Sequence, residues 1–401
     1  MQQAFKKSHP IIPYGRQWID EQDIQTVVDT LRSDWLTTGP KVGEFEQAVA
    51  DYVGAKYAVA VNSGTAALHA AMYAIGVGPG EEVILPPMTF AATANCVVFQ
   101  GATPVFADVD PGTLLIDPTE IESKITARTK AVIAVDYAGQ PCDYDALKHI
   151  AERHDLIFVA DACHSLGAKF KEENVGTLAD LSVFSFHPVK HITTGEGGMV
   201  TTSDPKLAER MRVFRNHGIT TEHHQREAQD SWFYEMTDLG YNYRITDFQC
   251  SLGMSQLAKL PGWIARRQEI ASRYNDEFAE ISGVAPLEVK DCIFHAYHLY
   301  VVKLDLSQLK VKRSEIFSAL RAEKIGANVH YIPVHLHPFY RNNFNTRPGL
   351  CPAAEAAYER ILSLPIYPAM KDSDVQRVVA AVSDAMTTMR KEAIQTNRGI
   401  N

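Results

Sequence analysis

The hydrophobic pattern of the chain changes near residue 260. Between about residues 57 and 200, near-continuous apolar runs alternate with segments of helical periodicity. Such runs are typical of strands that are buried on both faces of a parallel sheet. They read KYAVAVNSG, EEVILPP, TPVFADVD, KAVIAVDYAG, LIFVADACHS and LSVFSFH, with helical segments such as TAALHAAMYAIG between them. The pattern predicts an α/β fold with a mostly parallel central sheet flanked by helices.

The remainder of the chain mixes helix and strand patterns without that alternation. IARRQEIASRYNDEFAEI predicts a long helix, FHAYHLYVVKL an alternating strand, and KRSEIFSALRAEKIG a further helix. We therefore predict a smaller α+β domain after the sheet. The predicted parts are an N-terminal segment that packs near the functional site (1–30), a large α/β domain (31–258) and a small C-terminal domain (259–401).

Composition and charge exclude several classes of protein. The formal net charge of −9 gives no electrostatic reason to expect nucleic acid or an anionic membrane as a partner. No apolar stretch approaches the ~18 residues of a membrane span, and MQQAFKKSHPIIPYG lacks the apolar core of a signal peptide. The six cysteines are scattered without a C-x-x-C pair. These features predict a cytoplasmic protein with reduced thiols and no zinc site.

Polar residues follow the predicted strands at the edge where a parallel sheet binds ligands. Ser63-Gly64-Thr65 lies where a strand turns into a helix, so it could cradle a phosphate or merely cap the helix. The surrounding residues match neither a Walker A loop nor G-x-G-x-x-G. Asp161 ends an apolar run, and a buried carboxylate needs a partner: it could cap the next segment or hold a protonated ring nitrogen of a cofactor. His164 could face the same pocket or fill space.

Lys190 lies in the polar loop of FSFHPVKHITTGEGG, after the last of these strands. A solvated surface lysine is the ordinary alternative. However, a lysine, a buried carboxylate and a phosphate cradle on successive strand ends are what pyridoxal phosphate (PLP) requires. The lysine forms the Schiff base, the carboxylate keeps the ring nitrogen protonated, and the loop holds the phosphate. Phe90 could stack on the ring or pack in the core.

These segments together resemble a known family. SGTAALHA, PPMTFAATAN, ADACHSLGA, FSFHPVKHITTGEGG and GYNYRITDFQCSLG occur in the order found in the sugar-nucleotide aminotransferases of the DegT type, which are fold-type I PLP enzymes. The similarity runs from IPYGRQWID to LPIYPAM. It implies that Lys190 and Asp161 are catalytic. It further implies that Asn242 reaches the phosphate from the neighbouring subunit of a homodimer with shared active sites. The implied cofactor contacts are Ser63, Gly64, Thr65, Phe90, Asp161, His164, Ser185, Lys190 and Asn242.

The resemblance also implies a reaction. An amino group passes, usually from glutamate, to a keto carbon of a nucleotide-linked deoxysugar, with pyridoxamine phosphate (PMP) as the intermediate form. VDYAGQPCD, SFHPVKHITTGEGG and VHYIPVH look most like the transaminases that make UDP-4-amino-4,6-dideoxy-N-acetyl-β-L-altrosamine, on the route to pseudaminic acid. The substrate contacts implied by that subgroup are Tyr14, Trp35, Leu36, Thr37, His330, Tyr331 and Pro333.

Other readings remain open at this stage. The acceptor could be a different nucleotide keto-sugar or a keto-inositol, and the protein could be a PLP-binding regulator without turnover. Relatives that have histidine in place of the lysine are dehydratases, whereas Lys190 is retained here. A dinucleotide oxidoreductase is disfavoured by the missing glycine fingerprint.

Two histidine-rich segments invite a metal-binding interpretation. His335 and His337 would share a face of a strand, near His330, but no third ligand of clear spacing follows, so contacts to the substrate or packing are favoured. The segment TTEHHQREAQ (220–229) is expected to form a mobile loop near the pocket mouth. Arg244 could reach the substrate diphosphate or the donor carboxylate, or form a surface ion pair.

Overall fold

A seven-stranded sheet lies at the centre of the fold. The structure, a computed structural model, describes residues 10–221, 230–306 and 311–398. Its strands are β1 (Tyr57–Val61), β2 (Glu82–Leu85), β3 (Thr103–Phe106), β4 (Thr129–Val135), β5 (Ile157–Asp161), β6 (Lys169–Phe170), β7 (Glu173–Asn174), β8 (Leu181–Ser185), β9 (Gly198–Thr202), β10 (Val284–Pro286), β11 (Ile293–Phe294), β12 (Tyr300–Leu304) and β13 (Ile361–Leu364).

The order of strands in the central sheet is β1-β9-β8-β5-β4-β2-β3. Strand β9 is antiparallel to both β1 and β8, and the other neighbouring strands are parallel. The predicted α/β fold with a mostly parallel sheet is confirmed, and each of the six apolar runs contains a strand.

The sequence analysis missed β9. All of its residues are buried, although it contains two threonines. The Thr201 hydroxyl donates to the Gly176 carbonyl at 2.8 Å, and the Thr202 hydroxyl donates to the Asp180 carbonyl at 2.8 Å. Because these bonds satisfy the hydroxyls inside the protein, polar residues can occupy a fully buried strand. In the sequence, the apolar run within β9 consists of Met199 and Val200 alone, which is too short to predict a strand.

Helices cover the sheet and form much of the remainder. They are α1 (Glu21–Leu31), α2 (Pro40–Val53), α3 (Gly64–Ala74), α4 (Ala92–Phe99), α5 (Pro118–Glu122), α6 (Tyr144–Arg153), α7 (Pro205–Arg215), α8 (Asp247–Ala279), α9 (Arg313–Ala322), α10 (Pro338–Asn343), α11 (Pro352–Tyr358) and α12 (Asp372–Arg398). Short 3₁₀ turns lie at Tyr137–Gly139 and Val334–Leu336. Among the described helices, none is both long and apolar enough to cross a membrane.

Helix α8 links two hydrophobic clusters. Its residues Leu260 and Ile264 pack in the cluster around the central sheet. Further along the same helix, Tyr274 and Phe278 pack in a second cluster with the small antiparallel sheet β10-β12-β13. The helix is continuous across residue 258, where the sequence analysis places a domain boundary. The division into domains stays a prediction.

The N-terminal segment packs against the second cluster. The amide of Ile12 donates to the Lys324 carbonyl at 2.9 Å, and the amide of Gly326 donates to the Ile12 carbonyl at 2.7 Å. This pairing places the nearby Tyr14 in the lining of the cavity described below.

The strand predicted over FHAYHLYVVKL is shorter than expected. Only Tyr300–Leu304 forms β12 in the small sheet. The preceding residues bind the 3₁₀ turn instead, because the amide of Ala296 donates to the Gly139 carbonyl at 3.0 Å and that of Leu299 donates to the Ala138 carbonyl at 3.1 Å. The segment between β11 and β12 is therefore bound to the 3₁₀ turn that follows β4.

Candidate active site

A cavity of about 570 Å³ opens at the carboxyl ends of the parallel strands. Eleven of the sixteen predicted site residues line it: Tyr14, Ser63, Gly64, Thr65, Phe90, Asp161, His164, Ser185, Lys190, His330 and Tyr331. Eight of them lie at or after the ends of β1, β2, β5 and β8, whereas Tyr14, His330 and Tyr331 come from the N-terminal segment and from the residues before the second 3₁₀ turn. The parallel arrangement of the strands brings the strand-end residues together.

The start of α3 forms one end of the cavity. The Ser63 hydroxyl accepts a 3.0 Å hydrogen bond from the Ala66 amide, so this side chain caps the helix as the alternative interpretation proposed. The amides of Gly64 and Thr65 lie in the first turn, where a helix has no carbonyl partner for them. A methyl group at Gly64 would lie 2.9 Å from Cβ of Ser185 at the end of β8. Only glycine therefore allows α3 to approach β8 so closely. The positive end of α3 and the Ser185 hydroxyl then face one space, which is suited to a phosphate.

Asp161 lies deeper in the cavity and is 5% exposed. Its Oδ2 accepts a 2.6 Å hydrogen bond from the Thr93 hydroxyl, and its Oδ1 accepts a 3.2 Å bond from the Cys163 amide. The Thr93 and Thr89 hydroxyls are 2.7 Å apart. The carboxylate is thus fixed in orientation within an apolar surrounding, where a charged partner such as a protonated ring nitrogen binds strongly. Sequence reasoning missed Thr93, although it lies one helical turn after the predicted Phe90.

Lys190 projects from the loop after β8 and is half-buried. Its Nζ lies 3.5 Å from Nε2 of His298. Burial lowers the pKa of Lys190, while the nearby Cys163 and Asp161 raise it by a smaller amount. A lowered pKa increases the share of the neutral amine, which is the form that attacks a carbonyl. His298 was also missed, because nothing in its local sequence relates it to a lysine that is more than one hundred residues away.

His164 and Tyr331 contact each other in the wall of the cavity. Nε2 of His164 lies 3.2 Å from the Tyr331 hydroxyl. Its buried Nδ1 has no hydrogen-bond partner among the described residues. Burial lowers the pKa of His164 well below its ordinary value, and the charge of Lys190 adds to this effect. A neutral ring with an open nitrogen is suited to a polar group of a ligand.

Phe90 is 61% exposed in this single chain although it is a large apolar side chain. Its ring centroid lies 6.2 Å from that of Tyr331. An aromatic face that is open to a cavity is suited to stack on a flat heteroaromatic ring. The core-packing alternative for Phe90 does not apply to this position.

His330 lines the cavity beside Tyr14. Its Nδ1 lies 2.8 Å from the Ser363 hydroxyl, and its ring centroid lies 5.0 Å from that of Tyr14. Burial lowers the pKa of His330 to about 4, with a further contribution from Lys190. The peptide bond between His330 and Tyr331 is cis.

His335 has a different partner. The expectation that His335 and His337 share a strand face is wrong, because Val334–Leu336 forms a 3₁₀ turn. The fully buried His335 contacts Glu355, with 2.8 Å between Nε2 and Oε1. Among the residues that the structure describes, no cluster of three or more histidine, cysteine, aspartate or glutamate residues could hold a metal ion.

Five predicted residues do not line this cavity. Trp35 lines a separate cavity of about 740 Å³, beside Arg212 and Glu46. The other four line neither of these two cavities: Leu36 is 48% exposed, Thr37 forms an isolated β-bridge with Thr246, Pro333 is buried, and Asn242 is exposed.

Two further predictions concern the region around Asn242. The Arg244 guanidinium donates to the Asn216 side-chain oxygen at 2.9 Å, so it has a partner within the chain. Most of the predicted loop 220–229 lies outside the described residues.

Comparison with known proteins identifies the family. The model of the DegT/DnrJ/EryC1/StrS aminotransferase family matches residues 17–383. The spore coat polysaccharide biosynthesis protein SpsC of Bacillus subtilis is 46% identical over 381 residues, covering 94% of this chain and 98% of that protein. The UDP-4-amino-4-deoxy-L-arabinose–oxoglutarate aminotransferase of Shewanella sediminis is 38% identical over 383 residues, covering 94% and 98%.

Solved structures show the same fold. PseC of Helicobacter pylori, an aminotransferase involved in the biosynthesis of pseudoaminic acid, has a TM-score of 0.88 and 33% identity, covering 94% of this chain and all (100%) of its own. The putative sugar aminotransferase Spr1654 of Streptococcus pneumoniae, in its PMP form, has a TM-score of 0.89 and 33% identity over the same shares, and its PLP form is also known.

The cavity fits the cofactor that this family uses. Asp161 is fixed to meet a ring nitrogen, Phe90 offers an uncovered aromatic face, and the start of α3 with Ser185 offers a phosphate cradle. Lys190 supplies the amine. Together with the matches above, this geometry leads to the conclusion that the chain is a PLP-dependent enzyme and belongs to the DegT/DnrJ/EryC1/StrS aminotransferase family of sugar aminotransferases.

Proposed function

We propose that this protein is a cytoplasmic enzyme that transfers the amino group of glutamate to C4 of a UDP-linked 4-keto-6-deoxy-N-acetylhexosamine. The product would be UDP-4-amino-4,6-dideoxy-N-acetyl-β-L-altrosamine, on the route to pseudaminic acid. The observation that carries the proposal is the half-buried Lys190 amine beside the fixed carboxylate of Asp161, in a cavity that Tyr14, His330 and Tyr331 also line. The pseudoaminic acid role of PseC and the UDP-sugar named for the Shewanella relative support the choice of substrate.

Each residue has a stated task in this proposal. When bound, PLP supplies an electron sink that stabilises the negative charge left on carbon after a proton leaves. Gly64, Thr65 and Ser185 would hold its phosphate, Asp161 its ring nitrogen and Lys190 its carbonyl carbon.

Lys190 is also the base of the proposed reaction. Its Nζ would take the proton from Cα of the amino donor and pass it to C4′ of the cofactor. In the second half of the cycle, Nζ would carry a proton from C4′ to C4 of the sugar. The lowered pKa of the Lys190 amine suits this task, since a base must be neutral when it accepts a proton. His164 and Tyr331 line the same wall and help to exclude water from that carbon.

The proposal includes a homodimer in which each chain completes the site of the other. Asn242 is exposed and follows a segment with many exposed apolar side chains, including Trp232 (87% exposed) and Leu239 (69%). A patch of this kind is typical of a surface that another protein covers. In the homodimer, the amide of Asn242 would reach the cofactor phosphate of the neighbouring chain.

One alternative acceptor has a specific observation in its favour. SpsC, with 46% identity, is named for spore coat polysaccharide biosynthesis, and its identity to this chain exceeds the 33% of PseC. A different nucleotide keto-sugar for a surface polysaccharide is therefore the second candidate. The two candidate acceptors undergo the same reaction at the keto carbon and differ elsewhere in the sugar nucleotide. Contacts away from the reaction centre therefore discriminate between them.

The first experiment is an absorption spectrum of the purified protein with PLP. A visible band that glutamate converts to the shorter-wavelength band of the PMP form supports the aminotransfer from glutamate. Candidate keto-sugars are then added singly, and the one that restores the visible band names the acceptor. The Lys190→Ala variant is the control and should show no such conversion.

Other outcomes contradict the proposal in different ways. A band that ignores glutamate and other amino donors would favour the regulator without turnover. Restoration by a UDP-linked sugar without the N-acetyl group, but not by the proposed substrate, would favour the second candidate. Full turnover by Lys190→Ala would overturn the mechanism.

A further inference from the structure

Besides His164, a second histidine, His298, lies close to the proposed base Lys190. His298 belongs to the segment between β11 and β12 and is 5% exposed. Its Nε2 is 3.5 Å from Nζ of Lys190, and its ring centroid is 4.3 Å from that of His164. Contacts of catalytic groups are often long before a ligand binds, so a separation of this size is compatible with a working hydrogen bond.

The backbone around His298 is held from two sides. Arg267 on α8 donates from one guanidinium nitrogen to the carbonyls of Tyr297 at 3.0 Å and Ile366 at 3.0 Å, and it lies 3.5 Å from the His298 carbonyl. Arg267 is only 1% exposed. A buried guanidinium with several carbonyl partners fixes the chain segment that carries them.

The opposite side is closed by the turn at Gly139. This residue has a φ of +102°, and a methyl group there would lie 2.8 Å from the His164 carbonyl oxygen and 2.9 Å from the His298 nitrogen. Glycine alone permits this contact, both for its conformation and for its lack of a side chain. The turn therefore packs closely against the backbone of both His164 and His298.

The surroundings of His298 favour the neutral form of its ring. Burial lowers the pKa of His298 well below its ordinary value, and Lys190, His164, His191 and Arg267 lower it further. A neutral imidazole has one nitrogen that accepts a hydrogen bond. If Nε2 accepts an N–H of Lys190, the lone pair of a neutral amine points away from His298 and into the cavity.

We propose that His298 is a positioning residue, which accepts a hydrogen bond from Lys190 and thereby aims the lone pair of the amine at the reacting carbon. It acts through Lys190, and the inference rests on the role of Lys190 in the proposed function. The other titratable groups that face Lys190 or line the cavity with it are Tyr14, Asp161, Cys163, His164, His187, His191, Glu196, His330 and Tyr331.

The test compares three variants of His298. His298→Leu keeps the volume and removes the acceptor, His298→Gln keeps an acceptor of similar reach, and His298→Asn keeps a polar group that is too short. We expect the Leu and Asn variants to lower kcat of the glutamate half-reaction by ~10–100-fold, as misplacement of a reacting group does. KM for glutamate should change much less, and Gln should restore most of the rate.

A second readout uses the protein without its cofactor. The rate at which an amine-acylating reagent modifies Lys190 is followed against pH by peptide mass spectrometry. Because a hydrogen bond to a neutral acceptor favours the charged amine more than the neutral one, the midpoint should move to lower pH in His298→Leu and stay near that of the wild type in His298→Gln. If the pH midpoint of Lys190 modification and kcat both fall, the variant has lost the positioning of the amine. A larger share of neutral amine without such a loss would raise kcat instead.

His295→Gln is the matched control. His295 lies in the same segment, is 7% exposed and accepts from the Tyr297 amide at 2.8 Å. Circular dichroism establishes that each variant is folded, and the two polar variants keep the test informative if Leu does not fold. Wild-type kcat and midpoint in the Asn variant, or equal defects in Gln and Asn, would overturn the inference.

The half-reaction requires no sugar, so a wrong acceptor leaves this test intact. If Lys190→Ala still turns over, the proposed role of Lys190 fails. If Lys190→Ala is inactive while His298→Leu and His298→Asn behave as wild type, only the positioning role of His298 fails.

Discussion

Thr93 donates a 2.6 Å hydrogen bond to Asp161 in the buried part of the cavity. The threonine lies on α4 and the aspartate ends β5, so a helix and a strand from different parts of the chain meet at this carboxylate. The second bond, from the Cys163 amide, is longer at 3.2 Å. Thr93 is therefore the stronger of the two groups that orient Asp161.

We expect Thr93→Val to destabilise the protein and to weaken its retention of PLP. The substitution removes a donor from a buried carboxylate at almost constant volume, at a cost of about 1–3 kcal/mol in the free energy of unfolding. Urea unfolding without cofactor measures the first effect, and the visible absorption left after dialysis measures the second. Thr93→Ser keeps the hydroxyl and should lose much less; equal losses in both variants would contradict the role of the hydrogen bond.

We expect Gly64→Ala to weaken binding of PLP by at least ~10-fold, which corresponds to about 1.4 kcal/mol. The added methyl group would lie 2.9 Å from Cβ of Ser185, so α3 and β8 must move apart at the phosphate cradle. Titration of the visible band with PLP gives the dissociation constant.

Gly262→Ala is the control for the Gly64 prediction. Gly262 is exposed on α8, and a methyl group there would meet nothing within 4 Å. This variant should keep wild-type affinity and gain ~0.5–1 kcal/mol of stability from helix propensity. Unchanged affinity in Gly64→Ala would show that the phosphate does not bind at this helix start.

The buried His69 should make the protein less stable in mild acid. It lies 3.1 Å from the Tyr243 hydroxyl through Nδ1 and packs edge-on against Phe214, and burial lowers its pKa to about 4. Above about pH 6.5 the imidazole is neutral in both states. As the pH falls from there to about 4, the unfolded chain takes up a proton that the folded chain refuses, so stability is lost, by up to about 3 kcal/mol.

Comparison with His69→Phe isolates this contribution. The free energy of unfolding is measured for both proteins between pH 7 and pH 4.5. The wild type should lose more stability than the variant across this window. Parallel curves would mean that His69 does not titrate below its ordinary range.

Mixed dimers should regain activity if Asn242 acts across a subunit interface. Lys190→Ala and Asn242→Ala are each expected to be impaired, but a two-fold dimer that contains one chain of each has one site with both wild-type residues. After random exchange of subunits, roughly a quarter of all sites would be intact. Steady-state rates before and after mixing measure this recovery, with each variant incubated alone as the control. No recovery would mean that Asn242 acts within its own chain or not at all.

The strand ends were predictable because the chemistry there is local. The sequence shows an apolar run followed at once by Asp161, and another followed by Ser185 and the loop to Lys190. Such strand ends can be predicted because the pattern changes from apolar to polar within a few residues. The order of these segments along the chain was also sufficient for the family, which the match over residues 17–383 confirms. Strand β9 was not predictable in this way, since its buried threonines look polar until their carbonyl partners are known.

The sequence by itself determined the class of fold, the cofactor and the residues at the ends of the strands, because the alternating apolar runs and the polar residues that follow them are visible along the chain. Only the tertiary structure decided which distant side chains meet them. Thr93 reaches Asp161 across 68 residues, and His298 reaches Lys190 across 108. Such pairs leave no periodic or local signal, since they form only when separate elements pack with a definite geometry. The environment of the reactive amine is therefore a property of the folded chain and not of any segment within it.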